Sequence, residues 1–381
     1  MSVPPSQPPQ GPWQPPPSTP GQPHAQPSGQ PVPPYAPTPG QYPAWPPIGP
    51  PKKNNGIKWA LAAAALIAVI AVAVAVTLAV TRSGSSGNPN DGGGSKTPSG
   101  IASANDTGPV TVITDEPTCA KFTPINSGFA NQAKSGWNDR DPSIPVANWS
   151  PDQRAQYMAM GTAMRNTADQ FVPLARQTPH RVVRELYEQF IAYAHAYADS
   201  LANYTASDDH LALVATNASS TIYYVCQAIS EGSASTWGPS VPPVPAPSHP
   251  AKPGDPANPQ QFLSAHDSIC ANWNALADRY HSDAAAWLTV DSRTPATQWT
   301  PDQKSIIDGV EPVMSTYADN VEQLGRGSSN AAIQDFAMVI AQYLRAYVRG
   351  LPTYIASDSY LAAATNTTNA VVVEACKFVG G

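Results

Sequence analysis

The chain has 381 residues, 44 of them proline, and a formal net charge of −6. Charged side chains make up only 13%, against roughly 25% in ordinary soluble domains. No Asp or Glu precedes Asp91, so the first 90 residues carry +4, from Lys52, Lys53, Lys58 and Arg82, and the remainder −10; that acidic remainder excludes nucleic acid as a partner, because phosphate binding needs clustered Lys and Arg.

Residues 1–56 mix proline with Gln, Gly, Ser, Trp13, Tyr35, Tyr42 and Trp45. Such a segment buries too little apolar surface to offset the entropy of folding, and its prolines favour extended, donor-poor backbone. A disordered proline-rich cytoplasmic arm is expected. Runs such as Pro31–Pro34 fit aromatic-lined grooves, but a solvated tether explains them equally well.

Residues 57–81 read as one transmembrane helix. Trp59 to Val80 contains a single polar side chain, Thr77, and about 20 apolar residues at 1.5 Å rise span the hydrocarbon core. A cleavable leader is disfavoured, because the arm precedes the segment and its apolar run is too long. Lys52, Lys53 and Lys58 flank its N-terminal side and Arg82 stands alone beyond it, which places the N-terminus in the cytoplasm and the rest outside. Ala60, Ala64 and Ala68, then Ala71, Ala75 and Ala79, recur at four-residue spacing. Small residues so placed allow a homo-oligomer through this helix, and an alanine-rich composition accounts for them as well. Residues 82–115 follow as a Gly/Ser-rich flexible linker.

Beyond the linker the chain repeats itself. Residues 149–226 and 299–376 align without a gap at an offset of 150 positions. Trp149-Ser-Pro-Asp-Gln153 meets Trp299-Thr-Pro-Asp-Gln303, Tyr193 and Tyr197 meet Tyr343 and Tyr347, and Ala206-Ser207-Asp208 meets Ala356-Ser357-Asp358. Two related units, 116–232 and 260–381, are expected, joined by a proline-rich linker 233–259. Each reads as a four-helix unit, so the fold class is all-α. Val183, Leu186, Phe190, Tyr193, Tyr197, Leu201 and Tyr204 share one helix face, and Ile333, Phe336, Ile340, Tyr343, Tyr347, Leu351 and Tyr354 repeat it. The spacing predicts helices over 120–139, 151–177, 179–205 and 208–229, then 260–290, 301–325, 329–356 and 358–378, with kinks or early ends at Pro173, Pro312 and Pro352. The Trp-[Ser/Thr]-Pro-Asp-Gln element reads as a capping box with proline in the first helical turn.

Cys119 and Cys226 bracket the first copy and Cys270 and Cys376 the second. Of the three possible pairings, one bridge within each copy is the simplest. Disulfides persist outside the reducing cytoplasm, in agreement with the topology read from charge.

No nucleophile elbow, zinc-protease helix, phosphate loop or dinucleotide fingerprint occurs. Glu185 and Glu188 lack the histidine three residues on that di-iron bundles use, and the second copy has Asp335 and Met338 at those positions. His266, Asp267, His281 and Asp283 fall in the expected first helix of the second unit but too far apart for one site. No metal or cofactor is expected.

The proline-rich head, the Lys-flanked apolar helix and the cysteine-bearing outer region together resemble the actinobacterial, mycobacterial-type proline-rich single-pass membrane proteins of uncharacterised function. The resemblance implies a cell-envelope setting and transfers no catalytic residue. The reading is a non-enzymatic plasma-membrane protein whose duplicated outer domain binds a protein, lipid or wall component, in the groove between the units or at the helices carrying Pro173 and Pro312. A sensor or scaffold acting through the cytoplasmic arm is the second reading. An envelope enzyme whose site forms only in three dimensions is the third.

Overall fold

A computed structural model describes residues 100–380, and these belong to one compact body. The proline-rich arm, the apolar run Trp59–Val80 and most of the Gly/Ser linker lie outside the described residues. No described helix is long and apolar enough to cross a membrane.

The described residues are all-α, with short 3-10 turns and no strand among them. The helices are α1 (Cys119–Lys134), α2 (Pro151–Gln177), α3 (Arg181–Ser200), α4 (Asp209–Ser230), the one-turn α5 (Ser233–Trp237), α6 (Ile269–Asp283), α7 (Pro301–Arg326), α8 (Ala331–Gly350) and α9 (Ser359–Phe378). The 150-residue offset survives in detail. Ser150 accepts from the backbone of Gln153 while Gln153 reaches back to the Ser150 N–H, and Thr300 and Gln303 do the same. Trp149 donates to the Ile144 carbonyl and Trp299 to that of Thr294. Both capping elements therefore start helices, satisfying donors that a helix N-terminus leaves open.

Sequential helices pack as antiparallel neighbours: α2 on α3, α3 on α4, α7 on α8 and α8 on α9. The most extensive helix–helix contact crosses between the copies, α4 against α9. Ala, Ser and Thr dominate the facing surfaces, so the backbones approach closely; Thr221 donates to Thr367 at 2.9 Å. At matching positions of this seam His210 meets Glu374 at 2.6 Å and Tyr224 stacks on Tyr360 with centroids 6.3 Å apart. A single continuous apolar core runs through both copies.

Several boundaries differ from those the spacing predicts. α1 ends at Lys134 because Gly136, at φ 104°, turns the chain into the Trp137–Asp139 turn. The predicted helix 260–290 shrinks to Ile269–Asp283, since residues 260–263 are non-helical and tied down by side chains of α3 and by Asn330. His266 and Asp267 thus precede α6, and the Asp267 carboxylate accepts from the Ile269 N–H. α3 and α8 begin at Arg181 and Ala331, two residues late; Asn330 rather than Ser328 caps α8. α2 and α7 run through Pro173 and Pro312 without ending, whereas α8 does stop ahead of Pro352, tightening into a 3-10 turn at Leu351–Thr353.

Two segments expected as linkers are part of the body. Residues 101–116 carry buried Ile101, Ser103, Val110, Val112, Ile113 and Glu116. In the stretch expected as the linker 233–259, α5 packs on α8 and Val241 is buried.

Candidate functional site

The stripe tyrosines are structural. Tyr193, Tyr197, Tyr204, Tyr343, Tyr347 and Tyr354 are all buried, and every hydroxyl has a partner. Tyr197 accepts from Trp137 Nε1 and Tyr347 from Trp287 Nε1, each at 3.1 Å. Tyr204 donates to the Pro142 carbonyl and Tyr354 to that of Ser292. Tyr193 donates to the Leu263 carbonyl, and Tyr343 accepts from the Ile113 N–H. Burial pushes these phenols above their ordinary range. They stay neutral and pack the core.

The cysteines are joined as Cys119–Cys226 and Cys270–Cys376, with no free thiol among the described residues. The first bridge ties α1 to α4 and the second α6 to α9, so each copy's outermost helix is fastened to the helix that forms the central seam.

The chemically dense region lies elsewhere, where α3 and α8 meet beneath the segments 101–116 and 241–263. Arg181, Arg184, Glu185 and Asp335 are all at most 2% exposed. Arg181 grips the Asp335 carboxylate with two donors, at 2.7 and 2.9 Å. The same guanidinium donates to the Asp106 carbonyl at 2.5 Å and to the Gly108 carbonyl. The Asp106 carboxylate in turn accepts from the Arg181 N–H at 2.7 Å. Arg184 donates to Ser103 Oγ and to the Ala251 carbonyl, reaching both overlying segments. Gln189 clasps residues 260–262 from both sides, donating to the Gln260 carbonyl and accepting from the Phe262 N–H.

The network is not fully satisfied: Arg184 Nε and Glu188 Oε1 approach to 3.4 Å without a hydrogen bond, and Glu185 is left barer still. No donor reaches either of its oxygens, although it sits against Asp335 and within 3.9 Å of Arg184. Burial and the neighbouring Asp335 charge hold its carboxyl well above the usual range, outweighing the pull of Arg184 and Arg181. Burial likewise pushes Glu188 up to about 7, against the opposing influence of Arg184. Glu185 and Asp335 occupy equivalent positions of the two copies, at the 150-residue offset. The duplication thus brings a position near its own counterpart.

Sequence patterning misses this cluster. Arg181, Arg184, Glu185 and Glu188 lie on α3 away from the tyrosine stripe, where charge reads as a solvated face. The available signal was the second copy, which puts Ala331 and Met338 at the positions of Arg181 and Glu188. Small and apolar residues there argue against solvent. The region expected as a groove between the copies is filled by the central seam and the overlying segments. An open polar groove of about 550 Å³ lies instead between the start of α6 and the end of α7, lined by Asp267, Asn272, Asn320 and Gln323 among others. Among the described residues no cluster of His, Cys, Asp and Glu has the geometry of a metal site.

The comparisons with known proteins agree on the family and leave the chemistry open. No solved structure matches the chain. An uncharacterised protein of Mycolicibacterium smegmatis (strain MKD8) is 43% identical over 343 residues, covering 87% of this chain and 89% of the relative. The family described as mycobacterial ESX-1 associated protein matches residues 101–380, the whole helical body. The chain belongs to that family.

Proposed function

We propose that this protein is a non-catalytic, secretion-related component of the mycobacterial cell envelope, anchored by the apolar helix at residues 57–81, with its helical body outside the cytoplasm as a binding unit for a protein partner of ESX-1. The single observation that carries the reading is the pair of disulfides, one in each copy, in a body that coincides with the family's matched residues. Two such bridges favour an oxidising compartment over the reducing cytoplasm, where disulfides are rare. The smegmatis relative covers more of the chain than residues 101–380 supply, so the likeness extends into the residues ahead of the body. We read helices α1–α4 and α6–α9 as duplicated four-helix units fused through α4 and α9. The commitment of the six stripe tyrosine hydroxyls to structural partners favours a scaffold over an enzyme.

The test is topology followed by capture. Protease treatment of intact mycobacteria should remove the carboxyl-terminal body and leave a fragment containing residues 1–56 protected. In-cell cross-linking of the full chain should then recover a protein in wild-type cells that is absent when ESX-1 is deleted. A protected body would reject the outward orientation, and an unchanged cross-linking pattern would reject the association. A cross-link that instead required only residues 1–56 would favour a scaffold working through the cytoplasmic arm.

A further inference from the structure

We propose that Glu185 and Asp335 share a single proton across the seam between the two copies, and that this proton is a latch holding the segment 101–116 on the body. The geometry sets the requirement. Two carboxyl groups at equivalent repeat positions lie at 2% and 0% exposure beside a pair of guanidinium groups, Asp335 gripped by Arg181 and Glu185 within 3.9 Å of Arg184, close enough for the Asp335 charge to act on Glu185. Asp335 already accepts both Arg181 donors, whereas Glu185 receives none from any neighbour. Two adjacent buried carboxylates repel each other strongly, and an ionised carboxylate left without donors is costly. A proton on Glu185 removes both penalties, because the acid then donates to Asp335 and the pair carries one negative charge matched to Arg181. The pair is best described as titrating together.

The latch acts through Arg181 and Arg184. Facing the pair are Arg181, Arg184 and Glu188 from α3 and Asp106 from the overlying segment. The segment 241–263 brings the Ala251 carbonyl to Arg184 and the Ser248 hydroxyl to Gln334, with no charged side chain among these contacts. Arg181 bonds Asp335 and the backbone at Asp106 and Gly108 simultaneously, and Arg184 bonds Ser103. Loss of the proton sets two like charges against each other beside the guanidinium groups that fasten residues 103–108. The contact of α3 with α8 loosens and residues 103–108 lose their guanidinium anchors, leaving the Ile113–Tyr343 bond to hold the far end of the segment. Because the Glu185 carboxyl titrates above its ordinary range, the latch is fully engaged in acid and lost as pH rises through that raised value.

The experiment uses the full chain in detergent. Hydrogen exchange of the amides of residues 101–116, corrected for intrinsic rates, should show protection in the wild type falling about tenfold per pH unit on the alkaline side, the slope of one proton. E185Q, whose amide donates to Asp335 at every pH, should keep the segment protected with no such slope. E188Q should retain the wild-type slope, separating the latch from Glu188. Infrared difference spectra, wild type minus E185Q, should show a protonated-carboxyl band on the acid side of the transition that disappears as the segment opens. Absence of that band, or a slope unchanged in E185Q, overturns the proposal. If E185Q fails to fold, the alkaline-minus-acid difference spectrum of the wild type alone decides the matter, the protonated-carboxyl band disappearing over the pH range in which the segment loses protection.

Discussion

Ser150 and Thr300 do the same task in two copies of one element, so each serves as the other's control. Both cap a long helix and both receive the reciprocal bond from the residue three along. Ser150→Ala and Thr300→Ala should each destabilise the body by about 1 kcal/mol. The double variant should cost about the sum, since the caps share no partner. Denaturant unfolding measures this, and a silent Ser150→Ala would mean that the proline in the first turn suffices. The caps, the disulfide partners and the tyrosine stripe were all legible in the sequence, because each is a local pattern or is repeated at a fixed offset. The Arg181–Asp335 pair was not. Its members lie 154 positions apart and belong to different copies, so neither periodicity nor self-alignment places them together.

Helix existence followed from patterning, while helix ends and linkers were decided by tertiary contacts. Residues 260–263 are non-helical because Gln189, Tyr193 and Asn330 claim their backbone groups, which no local propensity encodes. The same principle governs how closely helices approach. A Cβ on Gly325 would overlap the Cβ of Ala337, so α7 meets α8 without room for a methyl. A Cβ on Gly161 would instead meet Leu201 Cδ1 at 2.6 Å, the rotatable end of a side chain. Gly325→Ala should therefore destabilise by about 1–3 kcal/mol through overpacking, and Gly161→Ala by less. Thermal melts of the two variants side by side check the order; equal losses would show that α2 and α3 cannot adjust either.

For the molecule as a whole, the two cross-links stand in different surroundings. Cys270 and Cys376 are fully buried, whereas Cys119 is partly exposed. Graded reductant with alkylation should open Cys119–Cys226 first, since exchange requires access to a sulfur. Each bridge closes a loop of more than 100 residues, with sequence separations of 107 and 106, and its loss should cost about 4–5 kcal/mol in the chain-entropy model. Opening of both bridges at one reductant concentration would show that the body unfolds before either is reached. The order of these fasteners along the chain has a mechanical consequence. Residues 101–116 lie upstream of the first cross-link, so a load applied at residue 100 is met by Arg181 and Arg184 and not by any covalent loop. That stretch can peel away while the cross-linked frame stays whole, and extended chain of this length adds about 50 Å of reach.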